Sequence, residues 1–223
     1  FRDKYGKDLI TPFREMHGSG KFEYITSSAT HGYLPLLAVN AESVNAQVFM
    51  GINTFERFFG FKPRGLWLPE CGYVPSIEYF LKQYGIEYFF TESHGLLFAD
   101  PRPVFGTFAP IITPNGIIAF ARDIDSSKQV WSSREGYPGD YDYREFYRDI
   151  GYDLDYDYIK KYISPDGQRI DTGIKYYRIT GNTGQKQPYN PGWAENKADI
   201  HALDFIINRQ RQVEYLSDKM DKP

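Results

Sequence analysis

Cysteine is nearly missing from this sequence: Cys71 is the single one in 223 residues. That excludes an intramolecular disulfide and any zinc site built on several thiolates, and it points to a reducing compartment, so the expected location is the cytoplasm. Long apolar runs are missing as well. Nothing approaches the roughly 20 residues of a membrane span, and the opening residues Phe1, Arg2, Asp3 and Lys4 carry no signal-peptide pattern. Charge of one sign is not in surplus either, with 26 Lys and Arg against 29 Asp and Glu and a net charge of -3. No nucleic-acid partner and no membrane partner is expected from such a balance. The four histidines form no His-Glu-x-x-His or similar ligand spacing, and Gly60 to Gly65 lacks the Lys and Ser/Thr of a phosphate loop. No metal and no cofactor is therefore expected, and a metal-dependent deacetylase is disfavoured.

Aromatic residues are plentiful: 19 Tyr, 17 Phe and 3 Trp make 17% of the chain. Tyr and Trp offer flat apolar area with a hydrogen-bonding tip, which suits sugar rings and equally suits ordinary packing. A neutral ligand fits this composition better than a charged one. The length suits one sizeable domain or a large part of one.

Along the chain, strands and helices alternate. Residues 22–26 read as a short strand running into Ser27–Gly32, which places His31 just past a strand end. Val44, Val48, Ile52, Phe55 and Phe59 recur at helical spacing and Gly60 closes that helix. Residues 65–68 form an apolar run between Pro63 and Pro69, as a buried parallel strand would, with Glu70 at its C-terminal end. Pro75 opens a second helix carried by Ile77, Phe80, Leu81 and Tyr84 and stopped by Gly85. A strand over 87–91 releases Glu92, Ser93 and His94, and a strand over 117–121 releases Arg122 and Asp123. Between them, residues 99–116 are Pro- and Gly-rich and read as a long irregular loop. Residues 133–192 read as a Tyr-, Asp-, Gly- and Pro-rich insertion with one short helix around 143–149. A strong helical pattern returns over 194–216. His17 is placed in a Gly-rich turn and His201 within the final helix.

Polar residues released at the C-terminal ends of parallel strands are where such sheets keep their chemistry. Glu70 stands in that position, although a solvated or capping Glu would read the same way. His31 and His94 can hydrogen-bond sugar hydroxyls, tune a carboxylate, or simply be structural. The stretch from Arg122 to Trp131 gathers an Arg, Asp123, Asp125, hydroxyls and an indole; it reads as a sugar-binding rim or as an ion pair followed by a helix cap.

At these residues the sequence resembles a known family. Trp67 to Tyr73 (Trp-Leu-Pro-Glu-Cys-Gly-Tyr) is similar to the nucleophile motif of glycoside hydrolase family 57, and residues 26–37 resemble the block that precedes it there. Residues 121–132, 136–140 and 143–151 are similar to stretches of its 1,4-alpha-glucan branching subgroup, so the resemblance runs from about residue 22 to 216. It implies an α/β fold, part of a distorted seven-stranded (β/α)7 barrel, and a retaining reaction on alpha-1,4-glucan. In such a reaction one carboxylate attacks the anomeric carbon while a second, about 5 to 5.5 Å away, donates and then removes the proton. The resemblance assigns Glu70 as nucleophile, and His31, Trp67, Cys71, His94, Arg122, Asp123 and Trp131 are expected to be substrate-binding residues.

The family's N-terminal His-x-His-x-Pro strand and its acid/base block have no match. The acid/base Asp is expected beyond Pro223, the chain is expected to be a partial catalytic domain over 1–223, and by itself it is expected to be inactive. Asp123 and Asp125 match a different block and are not given the acid/base role. An alpha-amylase or 4-alpha-glucanotransferase of the same family, or a non-catalytic glucan-binding module, are the alternatives. The loop 99–116 holds no Tyr that could shield the intermediate from water.

Overall fold

The computed structural model describes residues 2–6 and 8–220. The chain divides into two compact units, Phe1–Asp123 and Ile124–Pro223. The first is built on a five-stranded sheet of order β1-β2-β3-β5-β4, where β1 is Thr26–Ser27, β2 Gly65–Trp67, β3 Tyr88–Thr91, β4 Ile111–Ile112 and β5 Ile118–Ala121. The three pairings β1-β2, β2-β3 and β3-β5 are parallel, and β4 closes one edge antiparallel to β5.

Register explains the two faces of this sheet. Thr26, Leu66, Phe89 and Ala119 stand opposite one another on successive strands and are all buried. Leu66, Phe89 and Ala119 join one core cluster with Val44, Val48 and Ile52 of the helix Ala41–Phe59 and with Ile77 and Leu81 of the helix Ile77–Gln83. Burying each such side chain stabilises the unit by about 1.5–3 kcal/mol. One residue further on, Ser27, Trp67, Phe90 and Phe120 occupy the opposite face. Their rings form a row, Trp67 to Phe90 at 6.0 Å and Phe90 to Phe120 at 5.6 Å between centroids.

The helix Ala41–Phe59 has the ends its sequence prescribes. Asn40 accepts the Ser43 N–H at 3.2 Å, and Gly60 leaves the helix at φ 81° in the left-handed region. Inside it, Gly51 lets the helix lie against β1: a Cβ there would stand 2.2 Å from the Ser27 carbonyl oxygen.

Several elements differ from the sequence expectation. The strand over 22–26 is reduced to Thr26–Ser27; Pro63, which has no N–H, ends β2 upstream and leaves the earlier residues little to pair with. The irregular loop 99–116 contains β4, which returns through residues 113–117 to pair with β5. His17 ends the helix Ile10–Gly18, with its ring stacked on Phe61 at 3.7 Å.

In the second unit, the helix expected over 143–149 is extended chain instead. Glu145 N–H donates to Tyr177 O and Ile179 N–H to Tyr143 O, both at 2.9 Å, an antiparallel pairing that uses the backbone groups a helix would need. The buried Asp149 carboxylate organises the segment that follows. It accepts Gly151 N–H, Thr172 N–H, the Thr172 hydroxyl and Gly173 N–H at 2.8–3.0 Å. Burial acts to raise its pKa, but these donors outweigh it and hold the carboxyl well below the usual range. The last helix runs over Pro191–Met220, longer than the expected 194–216, because Asn190 caps Gly192 N–H and Trp193 N–H. Among the described residues no helix is long and apolar enough to cross a membrane.

Candidate active site

Because β1, β2, β3 and β5 are parallel and in register, the residues that leave their C-terminal ends meet along one edge of the sheet. Glu70 is among them, three residues past Trp67. Pro69–Cys71 forms a single 3₁₀ turn, with Cys71 N–H on Leu68 O at 2.8 Å and Gly72 N–H on Pro69 O at 3.0 Å. Within it both Glu70 (φ 52°) and Cys71 (φ 54°) are left-handed. For residues with a Cβ that conformation costs about 1–2 kcal/mol each, and it persists where surrounding contacts over-determine it.

Those contacts are specific. The Thr91 hydroxyl donates to the Cys71 carbonyl at 3.0 Å. Gly72 lies so close to Tyr33 that a Cβ would stand 2.3 Å from the ring. The Cys71 thiol is buried; burial, helped by the Glu92 carboxylate, pushes its pKa up, and the adjacent Arg122 opposes them. The turn therefore holds its backbone inward while the Glu70 side chain, 80% exposed, points to solvent.

His31 is the third residue of this edge with a positive φ (56°). Its Nε2 lies 3.9 Å from Glu70 Oε1, too long for a hydrogen bond and worth little as an exposed charge pair. Ser27 supports the ring from behind, with its Oγ 3.5 Å from His31 Nδ1 and donating to the Trp67 carbonyl at 2.9 Å. The loop that carries His31 is tied to the helix Ala41–Phe59: Gln47 accepts Thr30 N–H at 3.0 Å and donates to the Thr30 hydroxyl at 2.8 Å.

From the ends of β3 and β5, Arg122 donates to Glu92 at 2.7 Å, with both side chains about one-third exposed. Of the residues expected at the site, His31, Trp67, Glu70, Cys71 and Arg122 are thus gathered by the strand ends, and Asp123 follows Arg122 directly. His94 is exposed on the short helix Ser93–Leu97, and none of the contacts above involves it. Trp131 belongs to the second unit, 77% exposed at the end of the helix Ile124–Trp131. Glu92, Ser27 and Thr91 also belong to this edge, although they are not among the residues expected to bind substrate. Glu92 carried a usable signal, since it follows β3 as Glu70 follows β2.

A cavity of about 600 Å³ lies on the core side of the sheet, bounded by Tyr73, Phe89, Leu96, Ile111, Thr113 and Ala119, and Glu70 does not line it. Among the described residues no group of three or more His, Cys, Asp or Glu side chains is placed to hold a metal ion. What the edge offers is an exposed carboxylate on a rigid turn, an imidazole within reach of it, and an arginine-carboxylate pair.

Comparison with known proteins adds to this geometry. The family model for glycosyl hydrolase family 57 matches residues 1–210. A 1,4-alpha-glucan branching enzyme of Thermococcus kodakarensis is 36% identical, over 95% of this chain and 33% of its own length. Among solved structures, the alpha-amylase AmyC of Thermotoga maritima is similar with a TM-score of 0.82 and 45% identity, covering 98% of this chain and 43% of that one. A branching enzyme of Pyrococcus horikoshii is similar with a TM-score of 0.72 and 38% identity, covering 95% of this chain and 38% of that one. The chain thus spans about a third of the length of the curated relatives it matches.

Proposed function

The chain belongs to glycosyl hydrolase family 57, and from that premise we propose that it forms part of a retaining alpha-glucan transglycosidase of the 1,4-alpha-glucan branching type, with Glu70 as nucleophile. The observation that carries this reading is the Glu70 turn: a carboxylate 80% exposed at the end of a parallel strand, on a left-handed turn, with His31 Nε2 at 3.9 Å.

In the proposed reaction a Glu70 carboxylate oxygen bonds to the anomeric carbon as the alpha-1,4 bond to the leaving sugar breaks. A second carboxylic acid protonates that sugar's 4-oxygen. The covalent glycosyl-enzyme is then attacked by the 6-hydroxyl of another glucan chain, whose proton passes to the second carboxylate; the Glu70 oxygen leaves and an alpha-1,6 link is formed. No residue of this chain is assigned the acid/base role. His31 and Arg122 hold hydroxyls near the anomeric carbon, and Asp123 and His94 contribute at the rim. The indoles of Trp67 and Trp131 offer faces to sugar rings. Cys71 acts through the turn it belongs to, since its thiol is buried. The sheet is read as part of a distorted (β/α)7 barrel, with residues 133–192 as an insertion.

Hydrolysis is the second reading. It is favoured by the 45% identity to the Thermotoga alpha-amylase, which exceeds the identity to either branching enzyme. Linkage analysis of products from amylose, made with the full-length protein, separates the two. New alpha-1,6 links support branching; new reducing ends without branches support hydrolysis and overturn it. Either activity should vanish in Glu70→Gln.

A further inference from the structure

Behind the Glu70 turn lies a carboxyl group where an apolar side chain would be expected. Glu78, in the first turn of the helix Ile77–Gln83, has none of its surface exposed and neighbours the core residues Ile77 and Leu81. Its partners are two hydroxyls: Oε1 accepts from Tyr73, and Oε2 accepts from Thr113 at 2.8 Å. Thr113 is fixed in turn, because its Oγ1 accepts Ile117 N–H at 3.1 Å across the turn that joins β4 to β5. Burial, then the contact with Glu78, pushes the Tyr73 hydroxyl well above its ordinary pKa, so it remains a donor.

Burying a carboxyl is unfavourable unless its oxygens are satisfied, and a leucine would fill the space without that cost. What the arrangement secures is the position of Tyr73, whose ring also stacks on Phe89 at 5.3 Å. Tyr73 is three residues past Glu70. Between them Cys71 is held by Thr91 and Gly72 by the Tyr33 ring. The chain leaving the two left-handed residues is thus pinned at three successive positions, and the last pin is the Tyr73-Glu78-Thr113 network.

We propose that Glu78 is a positioning residue for the catalytic turn: through Tyr73 it fixes the path of the chain that presents Glu70, and Thr113 holds it from the far side. The inference rests on the reading of Glu70 as nucleophile. Glu78→Gln cannot accept both hydroxyls, because one carboxyl oxygen becomes an NH₂ donor. Thr113→Val removes one donor at nearly constant volume, and Thr113→Ser keeps it.

The test is steady-state kinetics on amylose with the full-length protein, comparing wild type, Glu78→Gln, Thr113→Val, Thr113→Ser and Glu70→Gln. Rates are normalised to folded protein by near-UV circular dichroism. A displaced turn lowers kcat about 10- to 100-fold for Glu78→Gln and Thr113→Val, leaves KM within about twofold, and is rescued by Thr113→Ser. Wild-type kcat in folded Glu78→Gln and Thr113→Val, with only a lower Tm, overturns the proposal and leaves these residues purely structural. If that result comes with an inactive Glu70→Gln, the positioning role alone fails. An active Glu70→Gln overturns the nucleophile reading and this inference with it.

Discussion

The hydroxyl of Thr91, at the end of β3, donates to the carbonyl of Cys71 at 3.0 Å, tying one strand end to the turn that carries Glu70. Both residues are buried, so removing the donor leaves a buried carbonyl unsatisfied. Thr91→Val should lower stability by about 1–3 kcal/mol and kcat by about tenfold or more, while Thr91→Ser stays near wild type. Urea midpoints and turnover on amylose check both halves.

Gly51 provides a second test of how the edge is assembled. A Cβ at this position would stand 2.2 Å from the Ser27 carbonyl oxygen, which belongs to backbone and cannot swing away. Gly51→Ala should therefore destabilise by about 1–3 kcal/mol, although alanine is the better helix former. Thermal unfolding would show a lowered Tm; an unchanged or raised Tm would mean that the helix Ala41–Phe59 is free to shift.

Acid should act on the second unit through Asp149. Its carboxyl is held well below the usual range in the folded chain, against about 3.9 when unfolded. As pH falls below about 4, the unfolded state binds the proton first, so the contribution is fully present above that value and is lost below it. Denaturant midpoints measured from pH 7 to pH 2 should fall over the acid part of that range. Asp149→Asn should be less stable at pH 7 by about 1–3 kcal/mol and show a shallower acid decline.

The Cys71 thiol should be inert in the folded protein. Burial and the Glu92 carboxylate hold its pKa up, with Arg122 opposing, and the thiolate is the reactive species. Alkylation by iodoacetamide at pH 7.4 should be at least about tenfold slower in native than in urea-unfolded protein. Equal rates would mean that the turn opens readily.

The sequence revealed the elements better than the contacts between them. Val44, Val48, Ile52 and Phe55 mark the helix Ala41–Phe59, because burial on one face leaves a 3.6-residue period. Pro63 and Pro69 bracket β2 for the equally local reason that proline disrupts a ladder. The left-handed backbone of Glu70 and Cys71 had no such marker. Neither residue is Gly or Asn, and the contacts that hold the turn come from Thr91 and Tyr33, which lie far away in sequence.

The Arg122-Glu92 pair, 30 residues apart, exists through the parallel register of β3 and β5. Nothing in the local sequence around Glu78 marks it as buried, because its partner Thr113 lies 35 residues away. Residues 143–149 were misread as helix because their partner, the strand-like segment near Tyr177 and Arg178, lies more than 25 residues away.

The central claim is that Glu70 becomes covalently attached to sugar. Incubating the full-length protein with a fluorinated alpha-glucosyl fluoride, which slows breakdown of a glycosyl-enzyme, and mapping proteolytic peptides by mass spectrometry tests it most directly. The account predicts one added glycosyl group on the peptide carrying Glu70, and none in Glu70→Gln. A label on another carboxylate, or turnover that inverts the anomeric configuration without any label, would contradict it.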